Sequence, residues 1–158
     1  YEVLKDPTQR AAYDLKVRES ERAAQASRPA PTPSPEQSPQ YRAEDNFRLG
    51  LSALQHGNRM QAVMHFAEAS RLVPKEARYR AYYGHALGGD SSTRRQAEAE
   101  LKTAISLDGD NASYRVMLAQ VYRDLGMRLR AEGELQRALA VNPDSAEARR
   151  MLDSLQKQ

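Results

Sequence analysis

Residues 47–74 read FRLGLSALQHGNRMQAVMHFAEASRLVP, residues 81–109 read AYYGHALGGDSSTRRQAEAELKTAISLDG and residues 116–143 read VMLAQVYRDLGMRLRAEGELQRALAVNP. Laid over one another, the three stretches repeat a pattern. Leu49-Gly50, Ala62, Phe66, Ala69 and Pro74 are followed by Tyr83-Gly84, Ala97, Leu101, Ala104 and Gly109, and then by Leu118-Ala119, Ala131, Leu135, Ala138 and Pro143. Ala62 to Ala97 is 35 residues and Ala97 to Ala131 is 34. A fixed period of this length is the mark of stacked helical hairpins. Such stacks make extended binding surfaces rather than reaction chambers.

Within each period the apolar residues fall at helical spacing. Phe47, Leu51 and Leu54 stand at i, i+4 and i+7, one face of a helix. Gly57-Asn58 breaks that helix, a second follows through Leu72, and Pro74 stops it. The same reading predicts helices around 76–87, 93–107, 111–125 and 128–141, parted by turns at Gly88-Gly89-Asp90-Ser91-Ser92, Asp108-Gly109-Asp110-Asn111 and Gly126. Gly50 opposite Ala62, Gly84 opposite Ala97 and Ala119 opposite Ala131 let paired helices approach closely, with Leu49, Tyr83 and Leu118 filling space beside Phe66, Leu101 and Leu135. A last helix after Pro143-Asp144-Ser145, apolar at Leu152 and Leu155, would cover the open end. Asp144 or Ser145 can cap its start.

Working outward, residues 23–40 hold five prolines among Ala, Ser and Gln, the composition of an extended, disordered linker. Residues 1–22 are charged and favour helix. There, Asp6 can serve as N-cap, Pro7 occupies the first helical position and Gln9 lies at capping-box distance, with Leu4 and Tyr13 as packing residues. The chain starts at Tyr1, not Met, and so reads as a piece of a longer protein.

Composition bounds the rest. Of 158 residues 40% are hydrophobic and 28% charged, and the net charge is +3. No apolar run nears the roughly 20 residues of a membrane span. The absence of cysteine removes disulfides, thiolate metal sites and a Cys nucleophile, and suits the cytoplasm. The excess Arg is scattered along helices rather than gathered with aromatics, which argues against a nucleic-acid surface.

The repeated pattern resembles the tetratricopeptide repeat (TPR) family over about two thirds of the chain. The resemblance implies an all-α solenoid of three helical hairpins, with repeats at about 43–76, 77–111 and 112–145 and a capping helix at 146–157, together a TPR domain at 41–157. Asn46, Arg80 and Arg115 replace the family's early aromatic, and Gly109 replaces one closing Pro; these read as surface and loop variation.

Tyr1, Leu4, Asp6, Pro7, Arg10, Tyr13 and Asp14 resemble the closing part of a DnaJ-type J-domain. That family stimulates a DnaK-type chaperone through a His-Pro-Asp loop, which this sequence lacks. The resemblances together imply a co-chaperone-like adaptor whose TPR groove holds a protein or peptide partner while the J part delivers a DnaK-type chaperone. The alternative is a TPR scaffold for a multiprotein machine in secretion, motility or signalling, with a degenerate J module.

The groove, lined by the first helix of each hairpin, would be built from Phe47, Leu51 and Leu54, then Arg78, Tyr82 and His85, then Val116, Gln120 and Arg123. Some TPR co-chaperones grip a chaperone's C-terminal carboxylate with Lys, Asn and Arg. The matching positions here are Phe47, Leu51, Tyr82, Ser113 and Met117, which supply none of those donors. His56, His65 and His85 have no metal-ligand spacing, Asp108-Gly109-Asp110 lacks the further ligands of a calcium loop, and the Gly88-Gly89 turn lacks a phosphate-binding Lys. No nucleophile–base pair suggests an enzyme, and no cofactor is expected.

Overall fold

The computed structural model describes residues 7–26 and 38–157, and the chain divides into two compact units, Tyr1–Ser34 and Pro35–Gln158. The first unit is described by one helix, α1 (Pro7–Ala26), which starts with Pro7 at its first position. Asp6 and Leu4 lie outside the described residues. Tyr13, expected to pack, is 60% exposed, and Leu15 is 61% exposed. Tyr13, Leu15 and Val17 are two residues apart, and that spacing scatters them around a helix instead of lining one face.

The second unit is a stack of α2 (Pro39–Gln55), α3 (Arg59–Leu72), α4 (Ala77–Leu87), α5 (Arg94–Leu107), α6 (Ala112–Asp124), α7 (Arg128–Val141) and α8 (Ala146–Gln156). The segment expected to be linker is therefore helical at both ends: α1 runs on to Ala26 and α2 begins at Pro39, while 27–37 lies outside the described residues. Side chains start most of the helices. Ser38, Asn58, Asn111 and Ser145 accept from backbone N–H groups at Tyr41, Gln61, Ser113 and Ala148. Gly57 and Gly126, in the hairpin turns of the first and third repeats, have φ of 74° and 72°, a conformation only glycine adopts without strain.

The repeated small residues form the core. Ala62, Ala97 and Ala131, Ala69, Ala104 and Ala138, and Phe66, Leu101 and Leu135 are all inaccessible to solvent. The crossings are closer than an Ala-on-Gly contact needs. A Cβ on Gly50 would lie 2.5 Å from the Phe66 ring, so Phe66 rather than Ala62 is its nearest neighbour. One on Gly84 would lie 2.8 Å from Leu101 Cγ and 3.0 Å from the Ala97 carbonyl.

Asn46, Arg80 and Arg115 are not surface variation. Each reaches across its hairpin to the second helix: His65 Nδ1 lies 3.2 Å from Asn46 Oδ1, Arg80 donates to Glu100 at 2.8 Å, and Arg115 donates to Glu134 at 3.4 Å. Arg80, Arg115 and Arg149 also donate back to the carbonyls of Pro74, Gly109 and Pro143, six residues earlier in each inter-repeat turn. A polar latch thus stands where the repeat pattern usually has an aromatic.

The first and last helices of the stack differ from the inner ones. Tyr79 and Tyr114, Tyr82 and Met117, and Ala86 and Val121 are buried or half-buried where α4 and α6 follow a preceding hairpin. The matching positions on α2 are Asp45, Arg48 and Ser52, all exposed, and Leu49 is 47% exposed. On α8, Ala148 and Leu155 are buried, but Asp153 occupies the place of Gly50, Gly84 and Ala119. A charged side chain there blocks the close approach of another second helix.

Candidate functional site

Among the described residues α4 also touches α6, whereas no comparable contact joins α3 to α5 or α5 to α7. With α4 close to α6, and Phe47 of α2 packed on Tyr79 and Tyr82 of α4, the three first helices share one face of the stack. This is the face on which the sequence places the groove.

The apolar end is more filled than expected. Phe47 is only 4% exposed and packs against Phe66, Tyr79 and Tyr82, with ring centroids 5.6, 5.2 and 5.1 Å away. The Arg78 guanidinium lies 4.6 Å from the centre of the Phe47 ring and donates to Glu44 at 2.7 Å. Tyr79 donates to the same carboxylate at 2.9 Å, and burial together with that bond holds its phenol above the ordinary value. Phe47 and Arg78 are therefore spent on one another and on Glu44, through stacking and a charge-assisted bond. Leu51, Leu54 and Tyr82 are half-buried against this cluster and keep the accessible apolar surface.

Val116, expected in the groove, is buried instead. It is 2% exposed and belongs to the core formed by α4 to α8. The contact of α4 with α6 leaves it covered.

At the other end His85, Gln120 and Arg123 share one recess. They line a recess of about 420 Å³ with Gly88, Gly89, Val121 and Asp124, and with Arg59 from the start of α3. Arg59 lies on a second helix, outside the set the repeat pattern assigns to the groove; only the fold brings the start of α3 to the turn of the next hairpin. Burial, and then the charge of Arg59, hold the His85 imidazole below its ordinary value, with Glu147 opposing. Gln120 donates to Glu147 at 3.3 Å, and Arg94 donates to the Asp124 carbonyl at 3.0 Å, tying the recess rim across repeats.

The five positions of a carboxylate clamp offer no cation: Phe47 is buried, Leu51, Tyr82 and Met117 are half-buried, and Ser113 is exposed. Among the described residues no group of three His, Asp or Glu is placed to hold a metal ion, and no helix is long and apolar enough to cross a membrane.

No protein-family model matches the chain, and no curated protein matches it in sequence. Solved structures do match. The TPR domain of Arabidopsis OM64 has a TM-score of 0.70 at 21% identity, over 76% of this chain and 98% of that one. The second TPR domain of human RPAP3, in complex with the HSP70 peptide SGPTIEEVD, has 0.69 at 19% identity, over 76% and 99%. The first TPR of Spaghetti (RPAP3), bound to the HSP90 peptide SRMEEVD, has 0.69 at 15% identity, over 75% and 95%. At such identities the likeness is one of fold: the second unit is a TPR-type α-solenoid.

Proposed function

We propose that the solenoid is a protein-interaction module that holds a peptide segment of a partner across the inner face of α2, α4 and α6. The observation that carries this reading is a row of accessible side chains left over from packing on three successive first helices: Leu51 and Leu54, Tyr82 and His85, Gln120 and Arg123. They run from an apolar end to a polar recess, the combination that anchors and orients an extended or helical segment. Two of the similar solved domains hold peptides ending in EEVD. The clamp positions of this chain argue for a different mode of grip, one that does not depend on a terminal carboxylate.

The finer reading is an adaptor. On the resemblance of residues 1–14 to the end of a J-domain, the first unit belongs to a J module that would bring a DnaK-type chaperone to whatever the solenoid holds. Tethering through the Pro-rich stretch at 23–40 would make that delivery intramolecular, at an effective concentration set by its length. This reading places the protein in the cytoplasm.

The groove is tested by isotope-labelled chain titrated with peptides selected for binding to it. Amide shifts should concentrate on α2, α4 and α6; shifts confined to α3, α5 and α7 overturn the reading. The adaptor reading is tested with the natural polypeptide, including whatever precedes Tyr1. It should stimulate the ATPase of a DnaK-type chaperone, and a lack of stimulation sinks that part alone.

A further inference from the structure

Gly88 and Gly89 stand where the first repeat has Leu54-Gln55 and the third has Arg123-Asp124, since Gly50, Gly84 and Ala119 set the register. The backbone does not ask for glycine at either place. Gly88 is at φ −60°, and Gly57 and Gly126 are the positive-φ glycines among the described residues. What the missing side chains leave is room. A Cβ on Gly88 would sit 3.0 Å from Val121 Cγ2, and one on Gly89 would overlap the Arg59 guanidinium. Arg59 therefore lies over the bare Gly89 backbone at the recess, and residues of all three hairpins line its walls.

The charges around the recess are unequally matched. Arg123 pairs with Asp124 at 3.0 Å, and Glu147 accepts from Gln120. Arg59 has no hydrogen-bond or ion-pair partner for its side chain among the described residues, so its positive charge is left over. We propose that this recess is a specificity pocket for one acidic side chain, Glu or Asp, in the interior of the bound peptide, with Arg59 as its ion partner and His85 and Gln120 as neutral hydrogen-bonding groups. The pocket rests on the groove reading above. Because all three hairpins contribute to its walls, a peptide crossing the face sets an interior residue over it rather than its end. The Arg59 guanidinium, close over Gly89 and without another partner among the described residues, has its fork of N–H donors free for a carboxylate.

The test uses random peptides displayed with their C-termini fused to a carrier, so that no terminal carboxylate is offered, selected on the 158-residue chain. The same selection is run on Arg59→Gln, on Gly89→Gln, which restores the first repeat's side chain and fills the recess, and on Leu51→Gln, each checked for helicity. Peptides selected by the unaltered chain should carry Glu or Asp at a fixed distance from an apolar residue. Replacing that acid with Gln should weaken binding about tenfold, the size of one charge-assisted hydrogen bond. The same replacement should have little effect on binding to Arg59→Gln or Gly89→Gln. If the selected peptides show no fixed acid, or if the loss persists in both variants, the pocket is refuted while binding that depends on Leu51 keeps the groove. If no selected peptide depends on Leu51, the groove reading itself fails and the pocket with it.

Discussion

Arg80 donates from Nη1 to Glu100 at 2.8 Å and from Nε to the Pro74 carbonyl at 2.8 Å, so one side chain fastens the second hairpin to itself and to the turn before it. The pair is largely covered, with side-chain exposures of 24% and 20%. Removing either partner strands the other charge in a partly desolvated place, and Arg80→Met or Glu100→Met should each cost about 1–2 kcal/mol. The double variant should cost less than the sum of the singles, because it leaves no stranded charge. Urea unfolding of the four proteins measures the coupling; strict additivity would show that the latch is incidental.

Glycines at two kinds of place should respond oppositely to alanine. Gly84→Ala drives a methyl into Leu101 and the Ala97 backbone and should destabilise by about 1–3 kcal/mol, with Gly84→Leu far worse. Gly133, in α7, has nothing within 4 Å of an added Cβ. Gly133→Ala should stabilise by up to about 1 kcal/mol, the helix-propensity difference. Equal effects at the two sites would mean that the crossing is not as close as the structure has it.

Deleting residues 1–37 should leave the thermal midpoint of the solenoid nearly unchanged, since 35–158 form a compact unit of their own. Deleting 1–40 should not be neutral. Ser38 Oγ accepts from the Tyr41 N–H at 3.1 Å, and Pro39 opens α2, so the longer deletion removes a cap that contributes about 1 kcal/mol. Calorimetry on the two truncations separates them. A fall of many degrees in the shorter one would show that the first unit contributes to the stability of the second.

His85 makes stability depend on pH in one direction. Burial and the Arg59 charge lower its folded-state pKa, so the unfolded chain takes up this proton more readily than the folded one. Stability attributable to the neutral ring is complete above the ordinary value of about 6.5 and declines as pH falls through it. His85→Gln should lose less urea resistance than the unaltered chain between neutral and mildly acidic pH. Identical losses in the two proteins would show that His85 titrates as if unfolded.

The inner face shows how far a sequence reading reaches and where it stops. The helical spacing of Phe47, Arg78 and Val116 points to the groove face. Their availability was not legible, because Arg78 folds onto Phe47 and Glu44 and because α4 meets α6 over Val116. Arg59 could have been suspected from one signal: Gly88-Gly89 removes two side chains from a place that carries them in the neighbouring repeats. The latch had a signal as well. Arg80, Arg115 and Arg149 each follow a turn residue by six positions, and Glu100 and Glu134 recur opposite the first two.

By itself the sequence determined the helix count and order of the solenoid, the small residues at its helix crossings, and the absence of clamp cations. These follow from periodicity and side-chain size, which act along a helix or between adjacent helices. Only the tertiary structure decided which first-helix residues remain uncovered, what Arg80 and Arg115 hold, and that Arg59 overlies Gly89. Those depend on the distance and angle between helices 19 to 34 residues apart, and packing, rather than pattern, sets that geometry.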